Sequence, residues 1–176
     1  EVDGKVIIAA VDCTGHGVPG ALVSVVGANG LHRCVKEFNL SQPNKILDKL
    51  TDLVVETFES GEDSVKDGMD GAVCLIDVKK RTLEYAGANN PLWIIKKSTR
   101  ELIEIKANKQ PIGDFEYKVP FDNHVFELDE GDQIYIFSDG YVDQFGGPKE
   151  KKYMHKPFKK LLLTIQDLSM QEQKEH

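Results

Sequence analysis

The sequence predicts an α+β fold in which helices flank a run of short antiparallel strands. Two amphipathic helical patterns come early in the chain, and short strand patterns separated by turn residues follow between residues 72 and 138. The connections between those strands are too short to hold crossover helices, so neighbouring strands are expected to be antiparallel. The 176 residues contain no repeat or linker, so one domain is predicted over residues 1–176.

Composition excludes several classes of function. Hydrophobic residues make up 40% of the chain and charged residues 29%, which is typical of a globular protein. Acidic residues exceed basic ones by seven, the opposite of what phosphate binding needs, so no nucleic-acid partner is expected. No apolar run approaches the roughly 20 residues that span a bilayer, and without a basic amphipathic helix no direct membrane contact is expected. The three cysteines form no C-x-x-C pair, which favours reduced thiols and a cytoplasmic location.

The first strand pattern covers residues 5–11, a continuous apolar run that ends at Asp12 and predicts a strand buried on both faces. The glycine-rich loop D-C-T-G-H-G-V-P-G follows, and Pro19 suits the first turn of a helix. Gly27 and Gly30 lower the helix propensity of that segment and predict close packing against another backbone. The predicted buried face of this helix comprises Leu22, Val25, Val26, Ala28, Leu31, Val35 and Phe38.

A second helix is predicted to begin at Ser41 and Pro43, as N-cap and first-turn residue. Its apolar stripe is Ile46, Leu47, Leu50, Leu53, Val54 and Phe58, and an acidic, glycine-containing stretch at 59–71 ends the pattern. Strands are then predicted at 72–77, 82–86, 92–96, 101–105, 123–128 and 132–138, with turns at Lys79-Lys80, Ser98-Thr99 and Glu130-Gly131. A last helix is predicted from Phe158, Leu161, Leu162, Ile165 and Leu168, with residues 171–176 as its continuation.

Two carboxylates stand at the ends of predicted strands. Asp12 follows V-I-I-A-A-V, and Asp139 follows I-Y-I-F-S and precedes Gly140. If the two strands are neighbours, these side chains offer hard oxygen ligands suited to Mg²⁺ or Mn²⁺. The alternative interpretation is that each aspartate opens a turn or caps the next helix.

Other motifs are weaker. The string Gly15-His16-Gly17-Val18-Pro19-Gly20 matches the dinucleotide fingerprint, but the chain then runs into a second helix and a meander instead of alternating strands and helices. Ser138 lacks the G-x-S-x-G elbow of a nucleophile, and D-C-T-G lacks the second copy that an aspartic-protease dyad needs. The cysteines and histidines have no zinc-ligand spacing.

The segment D-C-T-G-H-G-V-P-G-A at residues 12–21 resembles the signature of bacterial SpoIIE-type serine/threonine phosphatases, which belong to the metal-dependent, protein-phosphatase-2C-like (PPM) class. Further blocks similar to that family follow in the family's order. They are D-G-M-D (67–70), Y-A-G-A-N-N-P-L (85–92), P-I-G (111–113) and G-D-Q-I-Y-I-F-S-D-G-Y-V-D-Q-F-G-G (131–147).

This resemblance implies a four-layer αββα sandwich, with two antiparallel sheets inside, helices outside and a metal site at one edge between the sheets. It also implies two Mn²⁺ or Mg²⁺ ions that activate a water for attack on a phosphoserine or phosphothreonine phosphorus and neutralise the phosphoryl charge. The function implied is hydrolysis of these phosphoesters on a protein, in bacterial signal transduction.

The resemblance assigns roles to individual residues. Asp12 matches the aspartate that bridges both metals, and Cys13 matches the residue whose backbone carbonyl binds one of them. Asp139 matches a ligand of one metal, while Asp143 is a weaker candidate that is expected to open a helix. The loop-organising residues implied are Gly15, His16, Gly17, Gly20 and Gly140. Some relatives add an arginine near the metals, but Arg33, Arg81 and Arg100 lie in helix or turn patterns, so the metals alone are expected to recognise phosphate.

The family also has a metal-binding aspartate in a G-D-F-Y-like block before residue 5 and an Asp-Asp pair after the last helix. Neither block occurs in the 176 residues. We therefore expect the chain to be excised from a larger multidomain signalling protein with an upstream sensor domain, and to bind metal weakly with little activity of its own.

The partner that the resemblance implies is a phosphorylated STAS-domain protein, an anti-sigma-factor antagonist, within a partner-switching pathway. Relatives include dimers, so the resemblance also admits a homodimer. The alternative hypothesis is a non-catalytic regulatory or scaffold module that has kept the phosphatase fold. Retention of Asp12 and Asp139 favours the catalytic hypothesis over this one.

Overall fold

Two antiparallel sheets form the centre of the protein in a computed structural model, which describes residues 4–58, 68–148 and 150–176. Of the predicted break at 59–71, residues 59–67 lie outside the described residues, and 69–71 belong to a strand instead. The elements are β1 (Lys5–Cys13), α1 (Gly17–Lys36), α2 (Pro43–Phe58), β2 (Met69–Asp77), β3 (Thr82–Ala88), β4 (Leu92–Ile95), β5 (Leu102–Ile105), β6 (His124–Glu127), β7 (Gln133–Ile136), β8 (Phe145–Gly146), β9 (Lys151–Lys152), α3 (His155–Ile165) and α4 (Met170–Glu175).

The strands form one sheet in the order β1-β2-β3-β6, a second in the order β5-β4-β7 and a small hairpin of β8 and β9. Every pairing between these strands is antiparallel. The short connections predicted this for β2 with β3 and for β4 with β5. In the described part of the chain, no helix is both long enough and apolar enough to cross a membrane.

Three apolar clusters separate four layers. The first cluster joins α1 and α2 to the first sheet, the second fills the space between the two sheets, and the third joins the second sheet to α3. The alternation along β4 makes this arrangement visible, because Leu92 and Ile94 pack between the sheets whereas Trp93 and Ile95 pack toward α3. The αββα architecture that the resemblance implied is therefore the fold of this protein.

The predicted stripe of α2 is confirmed. The predicted face of α1 is only partly right, because Val26, Leu31 and Val35 pack against the first cluster but other members of the face do not. The residues of α1 that are buried are Gly20, Val23, Gly27, Gly30 and Cys34. Leu22, Val25 and Phe38 are exposed instead. The glycines explain the difference, because a Cβ at Gly27 would lie 2.4 Å from Met69 Sδ and a Cβ at Gly30 would lie 2.5 Å from Leu50 Cδ1. These glycines do allow close packing, as predicted, although the groups they admit are side chains and not another backbone.

β1 differs from its prediction in its exposure. The strand occupies the edge of the first sheet and pairs with β2 on one side only. Ile8 and Ala9 are exposed, so the strand is not buried on both faces. An unbroken apolar run is typical of a central strand, but the pattern cannot distinguish it from an edge strand with one partner.

The C-terminal third contains two elements that the sequence patterns missed. The strands β8 and β9 have two residues each, too few to show an alternating hydrophobic pattern in the sequence. The last helical stretch is split, because α3 ends at Ile165 and α4 begins after Ser169. The Ser169 hydroxyl accepts from the Glu172 N–H while the Glu172 carboxylate accepts from the Ser169 N–H, a capping box that starts a separate helix.

A buried ion pair fixes the turn before β7. The Asp132 carboxylate is 1% exposed, pairs with Lys96, and accepts hydrogen bonds from the backbone N–H groups of Lys97 (2.9 Å) and Asp129 (3.0 Å). Burial alone would raise the pKa of Asp132, but these hydrogen bonds hold it below its ordinary value.

We expect Asp132→Ala to lower the free energy of unfolding by about 2 kcal/mol at neutral pH, because it removes a buried acceptor of several hydrogen bonds. A carboxyl whose pKa is lowered on folding stabilises the protein above its unfolded pKa of about 4, and that contribution is lost as the pH falls through the folded value. Urea denaturation at neutral and at acid pH should therefore show a gap between wild type and variant that narrows in acid. Asp129→Ala, which removes the exposed partner of Lys96, serves as the control and should cost under about 0.5 kcal/mol.

Candidate functional site

The loop after β1 is held to the segment before β2 by one threonine. Thr14 Oγ1 donates to the Gly68 carbonyl and accepts from the Gly68 N–H, both at 2.9 Å, and the Thr14 N–H also donates to that carbonyl. These three bonds fix the backbone next to Asp12 and Cys13. The resemblance assigned no role to Thr14, although this residue lies within the signature at residues 12–21.

Glycines let this loop turn sharply into α1. Gly15 and Gly17 adopt φ values of +90° and +67°, which most side chains disfavour. A Cβ at Gly20 would lie 2.9 Å from the Gly15 carbonyl oxygen, so the first turn of α1 approaches the loop closely. His16 occupies the N-cap position of α1 without a side-chain capping bond. Its predicted loop-organising role stays a prediction, as does that of Gly140, whose N–H lies 3.4 Å from Ser138 Oγ.

Asp12 and Asp139 come together from different sheets. Asp12 is in β1 of the first sheet, and Asp139 lies three residues after β7 of the second. The carboxyl groups of Asp12 and Asp139 are within hydrogen-bonding reach of each other. The two strands are therefore not neighbours in one sheet, which was the condition under which the sequence pattern alone brought these carboxylates together. They lie in different sheets and face each other at one edge of the sandwich. Phe137, packed edge-on against Trp93 with ring centroids 4.5 Å apart, anchors the strand end that carries Asp139.

Two more aspartates surround this pair. Asp70 lies directly opposite Asp12 in the pairing of β1 with β2, and the Asp143 N–H donates to the Asp139 carbonyl at 2.8 Å. Partial burial, together with the charges of Asp12, Asp143 and Asp70, raises the pKa of Asp139. We call Asp12, Asp70, Asp139 and Asp143 the aspartate cluster. Asp143 does not open a helix as expected, because the hairpin of β8 and β9 follows it.

The block Y-A-G-A-N-N-P-L forms a tight turn that holds Asp70. Asn89, with a φ of +58°, donates from Nδ2 to Asp70 Oδ1 at 2.8 Å. The Tyr85 hydroxyl donates to the Asn90 carbonyl at 2.7 Å and closes the turn. A Cβ at Gly87 would lie 2.0 Å from that hydroxyl oxygen, so only glycine fits there. The family resemblance includes this block and D-G-M-D, but no sequence signal marked Asn89 or Asp70 as residues of the site.

The aspartate cluster has the chemistry of a site for divalent cations. Carboxylates directly opposite on paired strands repel each other, and no cation appears among the groups that shift the pKa of Asp139. Hard oxygen donors of this kind suit Mg²⁺ or Mn²⁺. Within the described residues, no group of three or more cysteine, histidine or carboxylate side chains is positioned to hold a metal ion. The Asp12–Asp139 pair is therefore the part of the aspartate cluster whose position fits a bound cation.

The remaining candidate residues are Cys13 and the three arginines. Cys13 ends β1 opposite Met69, and its predicted contribution is the carbonyl and not the thiol. Arg33 pairs with Glu37, Arg100 binds Asp167 through two hydrogen bonds, and Arg81 stands in the turn between β2 and β3, so none of the three contacts the aspartate cluster.

A groove of about 710 Å³ between α1 and β1 includes neither Asp12 nor Asp139 in its lining. Asp139 is exposed on the surface at the edge of the sandwich. An exposed site of this kind suits a phosphate presented on a protein better than a small molecule that must be enclosed.

The family model for stage II sporulation protein E (SpoIIE) matches residues 2–176 of the chain. A search of curated proteins found no match. The family match therefore covers the loop, the aspartate cluster and the tight turn described above.

Solved structures with the same fold include the PP2C domain of SiaA from Pseudomonas aeruginosa, at 26% identity and a TM-score of 0.85, covering 99% of this chain and 67% of that one. The RsbU and RsbW domains of a Mycobacterium tuberculosis protein match at 18% identity and a TM-score of 0.71, over 93% of this chain and 44% of that one. The PP2C phosphatase domain of SpoIIE from Bacillus subtilis was solved with a fragment of its regulatory domain. It matches at 17% identity and a TM-score of 0.68, over 97% of this chain and 50% of that one. The chain thus spans two thirds or less of each of these proteins.

Proposed function

This chain belongs to the SpoIIE family of protein serine/threonine phosphatases, and we propose that it hydrolyses phosphoserine or phosphothreonine on a protein substrate with divalent cations held by Asp12 and Asp139. The observation that carries the proposal is the meeting of these two carboxyl groups from separate sheets. Phosphatases of the PP2C class are metal-dependent, which agrees with the Asp12–Asp139 pair, since no side-chain cation is among the groups that shift the pKa of Asp139.

The residues of the chain have distinct tasks in this proposal. Asp12 and Asp139 hold the cations through their carboxylates, and the Cys13 carbonyl adds a neutral oxygen. Asn89 restrains Asp70, and Thr14 fixes the loop that carries Cys13. When bound, the cations supply the Lewis acidity that activates a water and offsets the charge of the phosphoryl group. The hydrogen bonds of Thr14 with Gly68 and of the Asp143 N–H with the Asp139 carbonyl fix the backbone beside both carboxylates before substrate arrives, which lowers the cost of reaching the transition state.

The proposed substrate is a phosphorylated regulatory protein, of the STAS-domain type that acts as an anti-sigma-factor antagonist. The solved neighbour that carries RsbU and RsbW domains on one protein supports a place among regulatory partners. The exposed position of Asp139 supports a macromolecular substrate over a small metabolite. An upstream sensor domain, a cytoplasmic location and a homodimer remain proposals on the same family basis.

The test is hydrolysis of phosphoserine and phosphothreonine peptides by the 176-residue chain with Mn²⁺, Mg²⁺ or EDTA. We expect a slow release of phosphate that depends on the divalent cation and disappears in EDTA. Turnover that is equal in EDTA and Mn²⁺ would contradict a metal-dependent reaction. A phosphotyrosine peptide, whose aromatic ester places the phosphorus farther from the backbone, is the specificity control and should react more slowly.

A non-catalytic regulatory module is the second candidate function. The observation that favours it is that the described residues provide no group of three ligating side chains. It predicts a folded protein that binds a regulatory partner but releases no phosphate with any cation, so the same assay separates the two functions.

A further inference from the structure

A basic segment begins beside the aspartate cluster in an otherwise acidic protein. Residues 150–160 contain five lysines and one glutamate, a net charge of +4, whereas the whole chain carries −7. The segment comprises β9, Tyr153, Met154 and the first turns of α3. Opposite charge concentrated on one short segment of a surface is typical of a recognition site for a charged partner.

Contacts tie this segment to the site. Lys152 Nζ lies 2.6 Å from Asp143 Oδ2, and the Asp143 N–H donates to the Asp139 carbonyl. The Met154 N–H donates to the Val142 carbonyl at 2.7 Å, which fixes the end of the hairpin against the turn that carries Asp139. The positive segment therefore starts at the rim of the aspartate cluster.

Most of these lysines do not stabilise the fold through ion pairs. Lys159 binds Glu104 and lies over the Trp93 ring, but Lys151, Lys156 and Lys160 are exposed and pair with no acidic side chain of the described residues. Lys156 also stands in the first turn of α3, where the helix dipole favours an acidic residue instead. By contrast, α4 begins with a capping box. A local rule broken in this way is expected where a residue serves binding rather than folding.

Exposed apolar side chains accompany the lysines. Phe145 is 69% exposed, Met154 55% and Tyr141 47%. Such side chains suit contact with a protein surface, whereas a free phosphate ion would use only the charges.

We propose that this basic segment, through Lys151, Lys156 and Lys160, binds acidic residues that flank the phosphorylated side chain of the protein substrate and directs the phosphate toward Asp12 and Asp139. Delivery of the phosphate to Asp12 and Asp139 rests on the proposed function. Binding of the acidic residues to the lysines does not depend on turnover. The aspartate cluster repels a phosphate through its own negative charge. Binding of the acidic residues beside the phosphate to the lysines would offset this repulsion.

The probe is a fluorescein-labelled phosphoserine peptide with three glutamates on each side, compared with a peptide in which glutamines replace them. Binding is measured by fluorescence anisotropy with the full chain in EDTA at low ionic strength. We expect the acidic peptide to bind about threefold to tenfold more tightly, since each exposed ion pair adds only a modest gain in affinity. The difference should vanish at about 0.5 M NaCl.

Lys151→Gln/Lys156→Gln should remove most of this preference. The matched control is Lys79→Gln/Lys80→Gln, which removes the same charge from the β2–β3 turn, at the end of the first sheet opposite to Asp12. Equal binding of both peptides by wild type, or a preference that survives in Lys151→Gln/Lys156→Gln, would overturn the inference. So would binding to phosphatidylserine vesicles that depends on Lys151 and Lys156 without any preference between the peptides. Because EDTA prevents turnover, a chain that shows the preference yet hydrolyses nothing with Mn²⁺ contradicts only the proposed function.

Discussion

In the larger parent protein, replacing Asp12 with asparagine should reduce the Mn²⁺-dependent turnover of a phosphoserine peptide at least about 100-fold, to the level measured in EDTA. Asparagine has the size of aspartate but lacks its charge, so the change removes a cation ligand without creating a cavity. The same substitution relieves repulsion with Asp70 and Asp139, and the melting temperature in EDTA should be equal to or above that of wild type. Initial rates and melting curves of the same preparation provide both readouts.

The matched control for this prediction is Asp52→Asn. Asp52 is an exposed residue of α2 that pairs with Lys118 at 2.7 Å, so its replacement removes an equal charge away from the aspartate cluster. Turnover should stay within about twofold of wild type, since surface pairs contribute little. An Asp12→Asn protein that keeps half of the wild-type rate would show that Asp12 holds no essential cation.

Replacing Gly87 with alanine should have the largest effect on stability, a loss of about 3 kcal/mol, which corresponds to a fall of roughly 6–12 °C in melting temperature. The added Cβ would lie 2.0 Å from the Tyr85 hydroxyl oxygen and 2.6 Å from the Asn90 carbonyl oxygen. The backbone carbonyl cannot move aside as a flexible side chain can, so the turn must open. Since this turn carries Asn89, Mn²⁺ binding should weaken together with stability.

Two variants control the Gly87 experiment. Gly146→Ala adds the same atom in β8 at a place with no neighbouring atom within 4 Å, and should change stability by under about 0.5 kcal/mol. Adding Tyr85→Phe to Gly87→Ala should recover only part of the loss, because the contact with the Asn90 carbonyl remains. A Gly87→Ala protein as stable as wild type would contradict the close packing described for this turn.

The strands and the second helix could be predicted because their signals are local. Apolar residues of α2 recur at helical spacing, and turn residues separate short strands whose connections admit only antiparallel neighbours. Each of these inferences depends on residues within a few positions of each other. The layer order needed the family resemblance, since no local pattern shows which strand packs on which sheet.

The buried face of α1 could not be predicted because its packing depends on the absence of side chains. Glycine carries no hydrophobic signal, yet Gly27 and Gly30 face the core and admit Met69 and Leu50. A hydrophobicity pattern therefore selected the exposed residues Leu22 and Val25. Similarly, the edge position of β1 is a property of its neighbours and not of its own residues.

At the candidate site, the sequence indicated the aspartates at the ends of β1 and beyond β7, but not how they meet. Their approach spans two sheets and about 127 residues of chain, a relation that only the tertiary structure supplies. Asp70 and Asn89 were missed for the same reason. The register of β1 and β2 places Asp70 opposite Asp12, and the left-handed turn conformation of Asn89 brings its side chain to Asp70. The metal-binding roles of Asp12, Cys13 and Asp139 stay predictions.

Binding of Mn²⁺ tests these roles most directly, and electron paramagnetic resonance of the free ion measures it without requiring turnover. Titrating the wild-type chain should reduce the free-Mn²⁺ signal, Asp52→Asn should do the same, and Asp139→Asn should leave the signal close to that of buffer. A wild-type chain that binds no Mn²⁺, or an Asp139→Asn protein that binds it as wild type does, would contradict the proposal that Asp12 and Asp139 hold the cation.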